Sequence, residues 1–480
     1  MKSTMNARAF KAVIAAVFAI TASVVPLSQG FAAGETLGAK CTTEGVMTGT
    51  KSTSLICTKS AAGKLTWQRV RLSGSSARPV QSLTPPKGEI QFWHYRPEVL
   101  DQKALTQIIA NFEAKYPGTK ITQVVKDTTT FNATARVQIL ANPKAALFAT
   151  SRGFVFDTFA KSDMMVDLSN QRYVKQNTIA KAMGAGVYEG KQLGVPYQYL
   201  FNNPIVNTEL WAKEKWTTPK NLTEWVSWCK DAKSKGYIPL AWPGATLGQA
   251  AQISNSVLMN SAASYDDLAK NLADLNSGKT DLTTPWFKSI ANVYVKLRDA
   301  GCFPENPTGV SQNAAYTMFA TGKSPILPTG TFSMGDIVVL NPKLDGKMQL
   351  MSMILTDGPV VAEGIMNNTY ILSVNKNSSS RDQQIANAFI SYLMTGSVAQ
   401  IYANTTLQHV NVLDVDYTNV NLLTTSGFQA KNTMLAPRFL LVNGSVSDLT
   451  QQALIAIVGG KSPDEVLPDF SKQIKQKLAA

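Results

Sequence analysis

A chain of 480 residues with 44% hydrophobic content is too long for one ordinary domain and can bury a substantial core, so two lobes or more are expected. Its formal charge of +14 is uneven: residues 1–32 carry +3, residues 33–88 carry +6, and residues 89–480 only +5. With no basic run interleaved with aromatics, that distribution speaks against a nucleic-acid partner.

At the start of the chain, Lys2, Arg8 and Lys11 precede the apolar run AVIAAVFAITASVVPL, and Gly30-Phe31-Ala32 offers a small-x-small cleavage site. Residues 1–32 therefore read as a secretory signal peptide, which places the mature chain in the periplasm or at the cell surface. Lys40 precedes Cys41 where lipid attachment requires a small residue, so no lipid anchor is expected. No later stretch is long and apolar enough to span a membrane. Residues 33–70 form a small cysteine-closed module with β character (SLICT, KLTWQRV), and residues 71–88 a Ser- and Pro-rich linker. An exported chain favours disulfides, and the expected pairs are Cys41–Cys57 and Cys229–Cys302. The basic front end suits an anionic cell-wall polymer or lipid surface and equally a solvated basic tail.

The main body opens with EIQFWHY as a buried strand, ALTQIIANFEAKYPG as an amphipathic helix stopped by Pro117-Gly118, and KITQVVK as the next strand. A helix (NATARVQILA), the strand AALFAT and a helix up to Asp163 continue the alternation, which predicts a parallel sheet covered by helices. In YEGKQLGVPYQYLFNN, Glu189-Gly190-Lys191 reads as a hairpin turn, and Val195, Tyr197, Tyr199 and Phe201 alternate as one face of a strand. The text then becomes helical. NLTEWVSWCKDAKSKG opens at Asn221 with Glu224 three residues on, SIANVYVKLRDAG ends at Gly301, and Cys229 and Cys302 sit in these two patterns. A last helix, DEVLPDFSKQIKQKLAA, carries Pro468 as a kink or a late true beginning.

Catalytic vocabulary is sparse. The two histidines, His94 and His409, cannot build an H-E-x-x-H or three-histidine zinc site, and no G-x-S-x-G elbow occurs. Gly-Lys-Ser or Gly-Lys-Thr follows at Gly278, Gly322 and Gly460, but Ala273, Thr317 and Ile455 replace the first P-loop glycine. No carboxylate pair stands out for glycoside hydrolysis. No catalytic residue, metal site or cofactor is expected.

NFEAKYPGTKI resembles the first helix and second strand of extracellular solute-binding proteins of family 1, the sugar-type receptors of ABC importers. YEGKQLGVPYQYLFNNPIVNTELW is similar to their hairpin and hinge-approaching strand. TTPKNLTEWVSWCKDAKSKGYIPLAW, MFATGKSPILPTGTF, YILSVNKNSSSRDQQIANAFISYLMTGSVAQIYA and VGGKSPDEVLPDF follow in the family's order, from about residue 89 to the C-terminus. Two positions depart: Asn142-Pro143-Lys144-Ala145 replaces the usual Pro-Asp before the third strand, and Gly330-Thr331-Phe332 the usual Gly-Ser-Trp.

The resemblance implies an α/β, two-lobed periplasmic-binding-protein-like (type II) fold with crossing hinge strands near residues 199–203, 364–368 and 405–410. The implied lobes are residues 89–200 plus 367–406 and residues 201–366 plus 407–480. Ligand contacts are expected where open α/β sheets bind, at the carboxyl ends of strands: Trp93 and His94 after the first, Asp127 and Thr128 after the second, Arg152 after the third. Trp242 and Phe332 are the expected aromatic platforms for sugar faces, with Asn368 and His409 at the crossings. The implied function is a non-enzymatic receptor that captures a mono- or oligosaccharide and delivers it to the permease subunits of an ABC importer. The alternatives are a receptor for an anionic or amine-bearing small molecule, which Arg96 and Arg152 would suit, and a wall-bound carbohydrate-active enzyme or adhesin.

Overall fold

The computed structural model describes residues 40–41, 47–50, 53–59, 65–69, 83–176, 178, 180–413 and 415–479. The expected signal peptide and most of the expected linker lie outside the described residues. At the front of the chain, β1 (Met47–Thr50), β2 (Thr53–Lys59) and β3 (Leu65–Arg69) form an antiparallel meander, with Trp67 buried. Cys41 is in a disulfide. The Cys57 side chain, its expected partner, lies outside the description.

β4 (Gly88–His94), α1 (Val99–Lys115) and β5 (Thr119–Val125) form the expected βαβ unit, with β4 and β5 paired in parallel. Spacing explains the helix: Ala104, Leu105, Ile108, Ile109 and Phe112 recur at helical intervals and are buried on one side. Gly118, at φ +92°, supplies the left-handed turn that returns the chain to the sheet. Next come α2 (Thr128–Leu140), β6 (Leu147–Thr150), α3 (Phe154–Lys161) and a short α4 (Arg172–Gln176). β7 (Val187–Tyr188) and β8 (Lys191–Gln192) form a hairpin whose turn residues Glu189 (φ +47°) and Gly190 (φ +78°) are both left-handed, the geometry that matches strand twist.

β9 (Val195–Phe201) departs from the expected single apolar face, because all seven of its residues are buried. It lies inside the large sheet, between the strands His409–Val410 and Gly364–Val374, and such interior strands are covered on both faces.

Beyond β9 the chain builds a helix-rich second lobe: β10 (Ile205–Asn207), α5 (Thr208–Lys213), α6 (Leu222–Ser234), α7 (Leu247–Ala250), α8 (Gln252–Leu258), α9 (Tyr265–Asn276), α10 (Pro285–Asp299), α11 (Gln312–Ala320), β11 (Ile326–Leu327), α12 (Met334–Leu340) and β12 (Met348–Leu350). Asn221 caps α6 by accepting the Glu224 N–H at 2.9 Å, while the Glu224 carboxylate accepts the Lys220 N–H at 2.8 Å. A disulfide joins Cys229 of α6 to Cys302, which falls just past α10.

β13 (Gly364–Val374) returns to the large sheet and is followed by α13 (Ser380–Leu393), α14 (Gly396–Thr406), β14 (His409–Val410), α15 (Val420–Ser426), β15 (Thr433–Leu435), α16 (Gly444–Val458) and α17 (Pro463–Ala479). α17 is continuous through Pro468, which lies inside the helix in its second turn.

One core joins Phe92, Ile108, Phe148, Tyr197, Ile371 and Phe389; a second joins Trp225, Trp242, Phe287, Ile365, Leu454 and Leu467. Val410, Val412, Tyr417 and Leu422, which the sequence reading assigned to the second lobe, are buried in the first core. Val410 stays with β9 because β14 pairs with it.

Candidate ligand site between the lobes

Three segments pass between the cores side by side. β9 leaves the first core at Tyr197 and leads on to Ile205 of β10 beyond it, β13 runs back from Ile365 to Tyr370, and Leu407 to Val410 make the third passage. Between them Tyr199, Phe201, Met366 and Phe428 form a separate small apolar cluster. Tyr370 has φ +52°, a left-handed conformation that is strained for an aromatic residue and sits at a crossing strand.

The register places Asn368 opposite Tyr199 and Tyr199 opposite His409, so the three strands present these side chains in one row. Asn368 is fully buried and neither amide atom has a hydrogen-bond partner. The His409 Nε2–H donates to the Leu422 carbonyl at 3.0 Å, which leaves Nδ1 as a buried acceptor with no partner. Burial pushes this imidazole down to about 4, so it is neutral at pH 7.

The carboxyl ends of the first-lobe strands place the other candidates. His94 is buried and spent internally: Nδ1 accepts the Arg96 N–H at 3.3 Å and Nε2 donates to Gln123 at 3.0 Å. Burial also pushes its imidazole down to about 4. Trp93 is buried in the first core, its indole N–H donating to Gln91 at 2.9 Å. Asp127 is an exposed cap of α2, accepting the Thr130 hydroxyl at 2.5 Å and the Thr130 N–H at 2.9 Å, and these hydrogen bonds hold its carboxyl below the usual range. Arg152 donates to Asn367 on β13 at 3.4 Å, with Tyr265 of the second lobe beside it.

In the second lobe the two expected platforms diverge. Trp242 is 1% exposed, donates its indole N–H to the Ala250 carbonyl at 2.9 Å and packs on Phe303, so it belongs to the core rather than the cleft. Its indole N–H finds a backbone acceptor within the lobe, which is how a buried tryptophan is satisfied. Phe332 is half-buried in the turn Thr331–Ser333, its carbonyl accepting from Gln408 at 3.1 Å.

The lobes touch on both flanks of the crossing. On one, Arg96 donates to Gln198, Gln198 to Tyr402, and Tyr402 to Asp101 at 2.5 Å. Across from this chain stands Asp336 at the start of α12, whose carboxyl is pushed up to about 7 by burial and by Glu98 and Asp101. On the other flank, Gly153 meets Phe439. Sequence reasoning missed Asp101, Gln198, Tyr402, Asp336 and Arg438. Only Asp101 carried a signal, as an acidic residue one turn before Leu105 on the apolar stripe of α1.

Two lobes joined by crossing strands, with buried polar groups at the junction, are the architecture of a ligand-capture protein. The profile of the bacterial extracellular solute-binding protein family matches residues 97–397, and the chain belongs to that family, which places it outside the cytoplasm. Among solved structures it is similar to a chitin oligosaccharide binding protein (TM-score 0.70, 15% identity, covering 81% of this chain and 99% of that one). It is also similar to the solute-binding protein RafE in complex with raffinose (TM-score 0.68, 17% identity, 82% and 100%). A sugar transporter protein from Bacillus licheniformis in complex with stachyose matches likewise (TM-score 0.67, 16% identity, 80% and 99%). No curated protein matches the sequence. No helix among the described residues is long and apolar enough to cross a membrane.

Proposed function

We propose that the protein is a receptor that captures a mono- or oligosaccharide between its lobes and delivers it to the permease subunits of an ABC importer. One observation carries the reading: the in-register row of Asn368, Tyr199 and His409, in which an amide and an imidazole nitrogen are held without partners where the lobes join. Buried polar groups are normally paired, and a sugar hydroxyl both donates and accepts. The sugars named for the similar structures, and the family itself, support the same class. Arg152, Phe332, Asn368 and His409 are the proposed contacts. The lobes are residues 89–200 plus 367–406 and residues 201–366 plus 407–480, with Val410, Val412, Tyr417 and Leu422 packed on the first. The signal peptide carries the chain out of the cell, and the basic segment 33–88 is the ground for a second partner, an anionic envelope surface.

Thermal shift with raffinose, stachyose and chitin oligosaccharides tests this. A sugar present at about 100 times its Kd stabilises the fold by about 2.7 kcal/mol, and chromatography should recover it intact. No shift with any sugar removes the carbohydrate reading; shorter sugars in the supernatant favour the enzyme alternative.

A further inference from the structure

Among the described residues, Asp163, Glu189, Lys215, Asn306, Tyr370 and Leu407 hold a left-handed backbone without being glycine. The first four are exposed. Tyr370 (φ +52°) and Leu407 (φ +57°) are buried, and both lie where the chain passes between the lobes. A side chain with a Cβ is strained in this region unless it is a short polar one such as asparagine, so each passage stores strain at one large apolar or aromatic residue.

Both residues are held from two sides. β13 pairs with β15 only at Gly364–Met366 and with β6 only at Ile371–Val374, and its register with β9 runs through Asn368 and Thr369, skips Tyr370 and resumes at Ile371. Tyr370 therefore divides the strand into a crossing half and a half fixed in the first-lobe sheet. Its N–H is accepted by the Tyr95 hydroxyl at 3.1 Å, and its ring is enclosed in the first core by Phe92, His94 and Tyr95, with ring centroids 6.2, 5.9 and 5.8 Å away. Leu407 ends α14 at a position that glycine usually fills. Ala403 before it and Val410 after it are buried in the first core, whereas Leu407 itself packs with Ile205, Leu327, Met334 and Ile337 of the second lobe. A rotation of one lobe against the other must therefore act on the backbone at both points.

The lobes touch on both flanks of the crossing, Gly153 against Phe439 and Gly335 against Leu100 and Thr406, which makes this a closed arrangement. Resting on the receptor reading above, we propose that Tyr370 and Leu407 are strained pivots: closing the lobes forces both into the left-handed region, opening releases them, and the strain holds the empty receptor open until a ligand that spans the lobes offsets it. The pivots touch no ligand. They set its affinity by setting how much of the binding energy closure consumes.

Full-length variants in matched pairs test this: Leu407→Gly against Leu407→Ala, and Tyr370→Gly against Tyr370→Ala. Both members of a pair lack the same side chain beyond Cβ, so their difference reports the left-handed backbone. Affinity is read within the folded protein, so the greater freedom of glycine in the unfolded chain does not enter it. In calorimetry with raffinose, stachyose and chitin oligosaccharides, each glycine member should bind a sugar about fivefold tighter than its alanine partner, and its sugar-free form should show the smaller radius of gyration in solution scattering. If the Tyr370 variants melt early, the Leu407 pair, which is the smaller truncation, decides. Pairs that differ in melting temperature yet agree in affinity and radius, or that reverse the expected order, overturn the pivots and leave the receptor standing. If wild type binds none of the sugars, the receptor reading falls and the sugar-free radii alone decide the pivots.

Discussion

At the residue scale, Asn368 separates function from stability. Its buried, unpartnered amide costs about 1–3 kcal/mol, and an apolar side chain of similar shape avoids that cost. Asn368→Leu should therefore raise the melting temperature while lowering sugar affinity about tenfold or more, the usual trade between stability and function. Unchanged affinity in calorimetry would make Asn368 a packing feature only. Trp242 and Phe332 provide a contrast between two aromatic residues with different surroundings. Trp242→Ala should cost about 3–5 kcal/mol in denaturant titrations, because it empties a filled core site. Phe332→Ala should spare stability and weaken binding by about 1–3 kcal/mol, as expected of a ring that packs on ligand.

At the scale of elements, the contact of α1 with α12 makes the molecule sensitive to pH. The groups facing Asp336 are Glu98 and Asp101, which raise its carboxyl, and Arg96, which lowers it; burial is the largest cause of its rise to about 7. In the unfolded chain the same carboxyl titrates near 3.8. Between those values the folded form binds more protons, so this group's contribution falls as pH rises from about 4 to 7 and is constant above. Asp336→Asn should match wild type near pH 4 and gain on it up to pH 7 in pH-stepped melting curves. A parallel pair of curves would mean that Asp336 ionises freely. The disulfide between Cys229 and Cys302 closes a separation of 73 residues, for which the chain-entropy estimate is about 4 kcal/mol. Because both cysteines belong to the second lobe, replacing both with serine should lower the melting temperature and leave ligand affinity within about twofold.

For the whole molecule, the chain passes between the two cores after β9, along β13, around Leu407 and again between Leu423 and Met434, and lobes joined by a few such passages rotate as nearly rigid bodies. A ligand favours the closed arrangement only by its differential affinity for it. Saturating sugar should therefore reduce the radius of gyration in solution scattering. Gly335 offers a wedge: a Cβ there would lie 3.0 Å from the Thr406 carbonyl oxygen and 3.3 Å from Leu100, both across the interlobe contact. Gly335→Val should hold the lobes apart, enlarge the scattering radius and weaken binding about tenfold, with each lobe still folded. Tight binding without compaction would replace the hinge with a rigid cleft.

The sequence by itself determined the local elements of this protein. Alternation of strand and helix, the Asn221 cap, the Glu189-Gly190 turn and the stop at Gly118 are interactions among residues close in the chain, and their chemistry is visible there. The family's landmarks pointed to crossings at the end of β9 and the start of β13, whereas the residues after Leu407 return to the first core. Tertiary structure alone decided which polar residues meet. Tyr402 and Asp101 are 301 residues apart and Arg96 and Gln198 are 102 apart, so neither pair leaves a periodic trace. Aromatic type also said nothing of surroundings: Trp242 found a carbonyl acceptor in its own lobe, whereas Phe332 lies half-buried in a turn whose carbonyl accepts from Gln408. Periodicity reports that a side chain is buried, and only the fold decides what buries it.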